Sequence, residues 1–294
     1  MKEKKLDIKG FSSPNSSQDY RPFTLNIALF GPEGGGKSRF IGTAPDPIGG
    51  IILDMKSEMS IRRAIEETGK TIIWPDREVT NSLIYDLDLR EIRKMVNHKD
   101  KDTGKELFMA HYEKRVTLME DLLMELCHHQ DIRTIFVDSF YQYCIEAKWA
   151  VQGPAQKFKR LDSGKVFQDN ESWYQRIIKL LNRINVKHTI LTHKWKDEYM
   201  NDAKTGRMVW EGFKYLGNHT NVAVELRRNE KAKPTKDDWR YRCTFRNCLP
   251  NETLQGPMGQ PDETGLVDEA ISFGNVARAI FTDVEEDVFE REFA

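Results

Sequence analysis

One stretch of the sequence has the residue types and spacing of a loop that binds nucleotide phosphates. Residues 31–38 read Gly-Pro-Glu-Gly-Gly-Gly-Lys-Ser and match the pattern G-x-x-x-x-G-K-[S/T] at every position. In such a loop, backbone N–H groups surround the phosphates, the lysine supplies a positive charge and the serine hydroxyl ligates Mg²⁺. We therefore predict binding of a nucleoside triphosphate. The predicted nucleotide contacts are Gly31, Pro32, Glu33, Gly34, Gly35, Gly36, Lys37, Ser38 and Arg39.

The elements around this loop fit the motif. Residues 23–30 form an apolar, β-prone run, and residues 39–41 can begin a helix. Because this is the strand–loop–helix order that a P-loop requires, we discard the alternative of a glycine-rich turn that matches the motif by chance. Further strands and helices alternate along the chain, so we predict an α/β fold with a mainly parallel central sheet flanked by helices. The other predicted strands include 50–54, 71–74, 134–138 and 188–193, and the predicted helices include 59–68, 80–96 and 113–129.

A second candidate site residue ends one of these strands. Residues 134–138 read Thr-Ile-Phe-Val-Asp, a mainly apolar run that ends in an acid. In this Walker B form the carboxylate organises Mg²⁺ and its waters. Many strands end in aspartate by chance, but the P-loop upstream favours the functional interpretation. Ser38 and Asp138 are therefore the predicted metal ligands.

The two motifs resemble those of RecA-like ATPases. Residues 31–38 are similar to the RecA loop G-P-E-S-S-G-K-T, and residues 137–139 are similar to its V-D-S. His193, with Thr192 before it, stands where the family has a polar pair that senses the γ-phosphate. Arg246 stands where RecA has a lysine on the strand after the one that ends Asp-Ile-Arg-Arg, which here is similar to 221–228. The resemblance covers about residues 23–250.

The resemblance implies an ATPase that binds ATP and Mg²⁺ and acts on single-stranded DNA. The compact size is most similar to the phage-encoded, Sak-type ATPases of recombination and single-strand annealing. We therefore expect a homo-oligomer, as a ring or a filament, in the host cytoplasm if the gene is carried by a phage. The residues expected to take part in hydrolysis are Lys37, Asp54, Lys56, Glu58, Asp138, His193 and Arg246.

One position departs from the family. RecA-like proteins have a glutamate two residues after the acid that ends the second strand, where it orients or deprotonates the attacking water. Here Lys56 follows Asp54 at that spacing, and an ammonium group cannot accept the proton. Lys56 could instead stabilise charge on the γ-phosphate, and the water is then left to Asp54, to Glu58 or to no side chain. We predict slow basal hydrolysis, with ATP acting mainly as an assembly switch.

Two segments carry the cations and aromatic rings that suit single-stranded DNA, whose backbone binds basic groups and whose bases stack on rings. They stand where RecA-like proteins have their DNA-binding loops. The alternative is a solvated hairpin that turns at 202–206, with its aromatic side chains packed on the core. The predicted DNA contacts are Lys157, Lys159, Arg160, Lys194, Trp195, Lys196, Arg207, Trp210 and Phe213.

Composition bounds the class of protein. The chain has 294 residues, of which 39% are hydrophobic, and this is enough for a sizeable core. Its net charge of −1 excludes a strongly basic protein. It has no run of about 20 apolar residues and no leader-like N-terminus, so we expect a cytoplasmic protein without membrane contact. The four cysteines form no C-x-x-C pair, which favours reduced thiols over a zinc site.

The expected organisation is a flexible N-terminal arm (1–22), a RecA-like ATPase core (23–250) and a C-terminal extension with an acidic tail (251–294). The stretch 97–105 is expected to be an exposed loop or turn. The tail could bind a protein partner or compete with DNA for the basic loops, or it could be a solvated terminal helix.

Two other functions share the P-loop. A small-molecule kinase would need an arginine-rich lid, whereas the loop after 193 has only Arg207. A nucleotide-gated scaffold or motor adaptor would bind ATP and barely hydrolyse it.

Overall fold

The computed structural model describes residues 23–84, 89–96, 101–153, 163–200, 203–210, 213, 216–228, 241–250, 266–268 and 272–293. The strands are β1 (Asn26–Phe30), β2 (Ile48–Ile52), β3 (Ile72–Ile73), β4 (Thr134–Asp138), β5 (His188–His193), β6 (Trp195–Met200), β7 (Ala203–Trp210), β8 (Val222–Arg228), β9 (Tyr241–Cys248) and β10 (Leu266–Asp268). The helices are α1 (Lys37–Ile41), α2 (Met55–Thr68), α3 (Arg77–Ile84), α4 (Leu89–Val96), α5 (Lys101–His128), α6 (Phe140–Gln152), α7 (Ser163–Ile184), α8 (Phe273–Ile280) and α9 (Glu286–Phe293).

The central sheet has eight strands in the order β10-β9-β8-β1-β5-β4-β2-β3. The strands from β8 to β3 in this order run parallel, while β9 and β10 are antiparallel to their neighbours. The predicted α/β class, with a mainly parallel sheet flanked by helices, is confirmed. Because β1, β4 and β5 are parallel, their carboxyl ends meet at one edge, which we call the carboxyl edge; the opposite edge is the amino edge.

Alternate residues of a strand point to opposite faces of the sheet and pack in two different hydrophobic clusters. Ile27 and Leu29 of β1 pack with α1, α2, α8 and α9 on one face of the sheet, whereas Ala28 and Phe30 pack with α5, α6 and α7 on the other. This follows from the two-residue period of a strand. Both faces are covered, which is why the strands are apolar throughout.

The expectation of an exposed loop or turn at 97–105 is wrong for residues 101–105, which belong to helix α5. Residues 101–105 lie in the first turns of α5, and 97–100 lie outside the described residues. Further along α5, Phe108 and Tyr112 pack against Trp149 of α6, with Tyr112 and Trp149 ring centroids 4.8 Å apart. This packing stabilises a helix through Gly104, where composition alone favoured a turn.

The C-terminal helices belong to the core of the sheet. Phe289 and Phe293 of α9 are buried in the same cluster as β1, and Phe293 lies against Phe281 with ring centroids 5.3 Å apart. His188, the first residue of β5, also lies 5.7 Å from the Phe293 ring. The tail is therefore packed at the amino edge, away from residues 31–38. Residues 154–162 and the side chains of 195–210 lie outside the described part of the chain, so competition between the tail and the basic loops stays a prediction.

We expect Phe293→Ala to lower the free energy of unfolding by about 3–5 kcal/mol, because a fully buried phenyl ring is lost. Denaturant unfolding measures the effect. Glu290→Ala is the matched control on the same helix; its side chain is 57% exposed, so a change within about 0.5 kcal/mol is expected. Equal stability of the two variants would contradict the packing of α9.

Two boundaries of the expected organisation stay predictions. Residues 1–22 and 251–265 lie outside the described residues. Among the helices of the described part, none has the length and apolar character needed to cross a bilayer.

Candidate nucleotide-binding site

Residues 31–36 join β1 to α1 at the carboxyl edge in a conformation that requires glycine. Gly36 has φ 94° and Gly31 has φ 148°. A Cβ atom on Gly31 would lie 2.1 Å from the carbonyl oxygen of Leu226 in β8. A side chain at this position would therefore displace the loop from β8.

Lys37, at the start of α1, folds back over the loop. Its Nζ donates hydrogen bonds to the carbonyl oxygens of Gly31 at 2.7 Å and Pro32 at 2.9 Å. Burial lowers the pKa of Lys37; the carboxylates of Asp138 and Glu33 oppose this shift. The ammonium group is thus positioned beside the loop, close enough to Asp138 for the two charges to interact.

Asp138, the last residue of β4, is the buried carboxylate of the site. It is 3% exposed and accepts a hydrogen bond from the hydroxyl of Thr192 in β5. Burial raises the pKa of Asp138, while the hydroxyls of Thr192 and Ser57 and the charge of Lys37 oppose the increase. Strand β5 lies between β1 and β4, so Thr192 stands between the P-loop strand and the acid.

The donor set fits Mg²⁺. Ser38 in the first turn of α1 and Asp138 supply a hydroxyl and a carboxylate, both hard oxygen donors. Mg²⁺ is usually held by one or two protein oxygens together with phosphate oxygens and water. Within the described ranges, no three His, Cys, Asp or Glu side chains cluster as a metal site, so the phosphates would have to complete the coordination.

The first turn of α2 sends its side chains in different directions. Asp54 is the N-cap and accepts a hydrogen bond from the Lys56 backbone N–H at 3.1 Å. The Lys56 side chain is exposed, and Glu58 forms an ion pair with Arg62 at 2.8 Å. The charge of Asp54 contributes to the raised pKa of Asp138.

Ser57 was not predicted from the sequence. It lies between Lys56 and Glu58, and its hydroxyl opposes the rise in the pKa of Asp138. A hydroxyl in the first turn of a helix that begins at the carboxyl edge is the signal that could have identified it.

His193 ends β5 in register with Phe30, the residue before the P-loop. It is 1% exposed, and its ring meets Phe140 edge-on with centroids 5.3 Å apart. The predicted γ-phosphate sensor is therefore an interior side chain next to the loop.

Arg246 lies on the other side of the P-loop strand. Its Nε and Nη2 donate to Glu225 Oε2 at 2.9 and 2.7 Å. Glu225 is buried in β8, is in register with Phe30 and also forms an ion pair with Arg227. One buried carboxylate thus holds two guanidinium groups beside the β1 end.

Lys194, a predicted DNA contact, directly follows β5 at the carboxyl edge, the edge that also carries residues 31–36. It is the exposed residue that joins β5 to β6, and its Nζ lies 5.6 Å from the centre of the Tyr141 ring. Its positive charge contributes to lowering the pKa of Lys37.

The remaining DNA candidates have different outcomes. Phe213 is fully buried and packs on Tyr174 with ring centroids 5.4 Å apart, so it belongs to the core and cannot stack on a base from this position. Strands β6 and β7 form the hairpin of the alternative interpretation, but residues 203–206 lie in β7 rather than in its turn. The side chains of Trp195, Lys196, Arg207 and Trp210, and residues Lys157, Lys159 and Arg160, lie outside the description and stay predictions.

Comparisons with known proteins give partial similarities in structure, of which two are described. The crystal structure of the RadB recombinase is 9% identical, has a TM-score of 0.34 and is matched over 76% of this chain and 81% of its own. A prototypical ATPase from the type III secretion system of pathogenic bacteria is 14% identical, has a TM-score of 0.35 and is matched over 70% of this chain and 53% of its own. No family model and no curated protein matches the sequence. Similarities this low carry no argument about activity.

Proposed function

We propose that the chain is a RecA-like, P-loop ATPase that binds ATP and Mg²⁺ and acts on single-stranded DNA in recombination, annealing or repair. The observation that carries the proposal is the convergence of the Lys37 ammonium group, the Ser38 turn and the buried Asp138 carboxylate at the end of parallel strands. Ligands bind at this edge of open α/β sheets. Oligomerisation, a phage origin and a cytoplasmic location belong to the proposal through the RecA resemblance alone.

Each site residue has a role in this proposal. The loop N–H groups and Lys37 would bind the β- and γ-phosphates, since fixed dipoles and charges stabilise phosphoryl transfer. Ser38 and Asp138 would hold Mg²⁺, which when bound neutralises charge on the phosphates. Thr192 keeps the Asp138 carboxylate oriented through its hydrogen bond.

The first turn of α2 supports slow hydrolysis. Lys56 cannot act as a base, and Glu58 is already paired with Arg62 on the helix surface. This supports the switch role of ATP, and it also favours the second candidate, a nucleotide-gated scaffold or adaptor with little hydrolysis.

Phosphate release with and without single-stranded DNA tests the proposal. We expect slow basal turnover that rises when DNA is added, and we expect Glu58→Gln to leave both rates within about twofold, because Glu58 is occupied by Arg62. Loss of turnover in Glu58→Gln would identify Glu58 as the base. ATP binding without any hydrolysis would favour the scaffold, and rapid turnover without DNA would contradict the assembly switch.

Lys194→Ala distinguishes a nucleotide contact from a DNA contact. Because Lys194 directly follows β5, the neighbour of the P-loop strand, at the carboxyl edge, we expect its loss to weaken ATP binding by about 10-fold and ADP binding less, as one charged contact contributes roughly 1.5–3 kcal/mol. Calorimetric titration with each nucleotide measures this. An unchanged ATP affinity with a reduced salt dependence of DNA binding would instead support the original DNA assignment.

A further inference from the structure

The Glu225 carboxylate binds a different guanidinium group with each of its oxygens. Arg246 donates from Nε and Nη2 to Oε2, at 2.9 and 2.7 Å. Arg227 donates from Nε to Oε1. The side chain of Glu225 is 2% exposed, whereas that of Arg246 is 22% exposed. A buried carboxylate therefore fixes the position of an arginine that is still partly accessible.

The backbone places this carboxylate directly beside the P-loop. Glu225 is in register with Phe30, the residue before Gly31. The next residue of β8, Leu226, lies against the loop: its carbonyl oxygen is 2.1 Å from the position of a Cβ atom on Gly31 and 2.9 Å from one on Gly35. Glu225 and its two arginines therefore lie at the carboxyl edge, next to the residues that would bind the phosphates.

A β-bulge in β9 also determines where Arg246 stands. The register of β9 on β8 shifts by one between Ala223 and Val224, which leaves Arg246 as the extra residue. Phe245 and Cys248 are three positions apart and yet are buried in the same hydrophobic cluster, which the two-residue period of a regular strand does not allow. Bulges of this kind re-aim side chains and are common next to active sites.

We propose that Glu225 is a positioning residue for hydrolysis, which holds Arg246 beside the P-loop where its guanidinium group can act on the transferring phosphoryl group. The inference rests on the proposed function. Arg246 would contact the phosphate, whereas Glu225 would act only through Arg246. A displacement of a reacting or stabilising group by about 1 Å can slow a reaction by about 100-fold, so loss of this carboxylate should be visible in the rate.

The test is a double-mutant cycle on ATP turnover, measured with Mg²⁺ and single-stranded oligo(dT). Glu225→Gln keeps the size of the side chain and removes its charge. We expect it to lower kcat by about 100-fold and to leave the KM for ATP within about twofold, because the interaction is made in the transition state. In the Arg246→Ala background the same substitution should change kcat by less than about threefold, since its effect passes through Arg246.

Arg227→Ala is the matched background for this cycle. Arg227 pairs with the same carboxylate, so a general loss of structure around Glu225 would couple to both arginines alike. We expect Glu225→Gln to keep its fall of about 100-fold in the Arg227→Ala background, because Arg246 is still present there.

A second variant covers a loss of stability. If Glu225→Gln strongly lowers the melting temperature, Glu225→Asp retains the buried charge but withdraws the carboxylate by one methylene, and it should lower kcat by at least about 10-fold at an unchanged KM. Wild-type turnover in a folded Glu225→Gln, or an equal fall with and without Arg246, overturns the positioning role while the proposed function stands. A wild-type chain that does not hydrolyse ATP overturns the proposed function, and this inference with it.

Discussion

Lys37→Ala is expected to reduce the affinity for ATP by roughly 100-fold, because each hydrogen bond from a charged group to the phosphates contributes about 1.5–3 kcal/mol. The fold should persist. The Nζ of Lys37 donates hydrogen bonds within its own loop, to the carbonyl oxygens of Gly31 and Pro32. Calorimetry with ATP and Mg²⁺ measures the affinity, and the melting temperature without nucleotide checks the fold.

Lys70→Ala is the matched control for this variant. Burial also lowers the pKa of Lys70, and its Nζ also donates to a backbone carbonyl, that of Ala44 at 2.9 Å. It lies at the amino edge, before β3, so its loss should leave the ATP affinity unchanged. An ATP affinity that is the same in the wild type and in Lys37→Ala would refute the site.

Arg246→Ala is expected to reduce DNA-stimulated hydrolysis by about 10³-fold while ATP binding is retained. Loss of an arginine that stabilises the transferring phosphoryl group has an effect of about this size. The physical basis is the RecA resemblance together with the fixed position of the guanidinium group on Glu225. Arg227→Ala is the matched control, since Arg227 pairs with the same carboxylate but is 45% exposed.

Mixed assemblies test whether Arg246 acts on a neighbouring subunit. Subunits with Lys37→Ala retain Arg246, and subunits with Arg246→Ala retain the P-loop. A mixture should therefore recover part of the turnover that each variant lacks alone. A wild-type monomer that hydrolyses ATP at the full rate, or no recovery in the mixture, would contradict a role between subunits.

Local sequence was sufficient for the parts of the site that depend on consecutive residues. The P-loop is a local conformation encoded by glycines, and Asp138 follows directly from a run of apolar residues, so both could be predicted from the sequence, as could the α/β class that the structure confirms. The sequence also sufficed to exclude Lys56 as the base that deprotonates the attacking water, because an ammonium group cannot accept a proton in any orientation.

Positions that depend on contacts between distant elements were decided only by the tertiary structure. Phe213 has the same aromatic character as a base-stacking residue, and only its packing on Tyr174 shows that it is core. Thr192 reaches Asp138 because β4 and β5 are neighbours in register, although the two residues are far apart in sequence. Burial of α9 depends likewise on His188 and Phe273. Periodicity and composition describe one segment at a time, whereas burial is a property of the segments that pack on it.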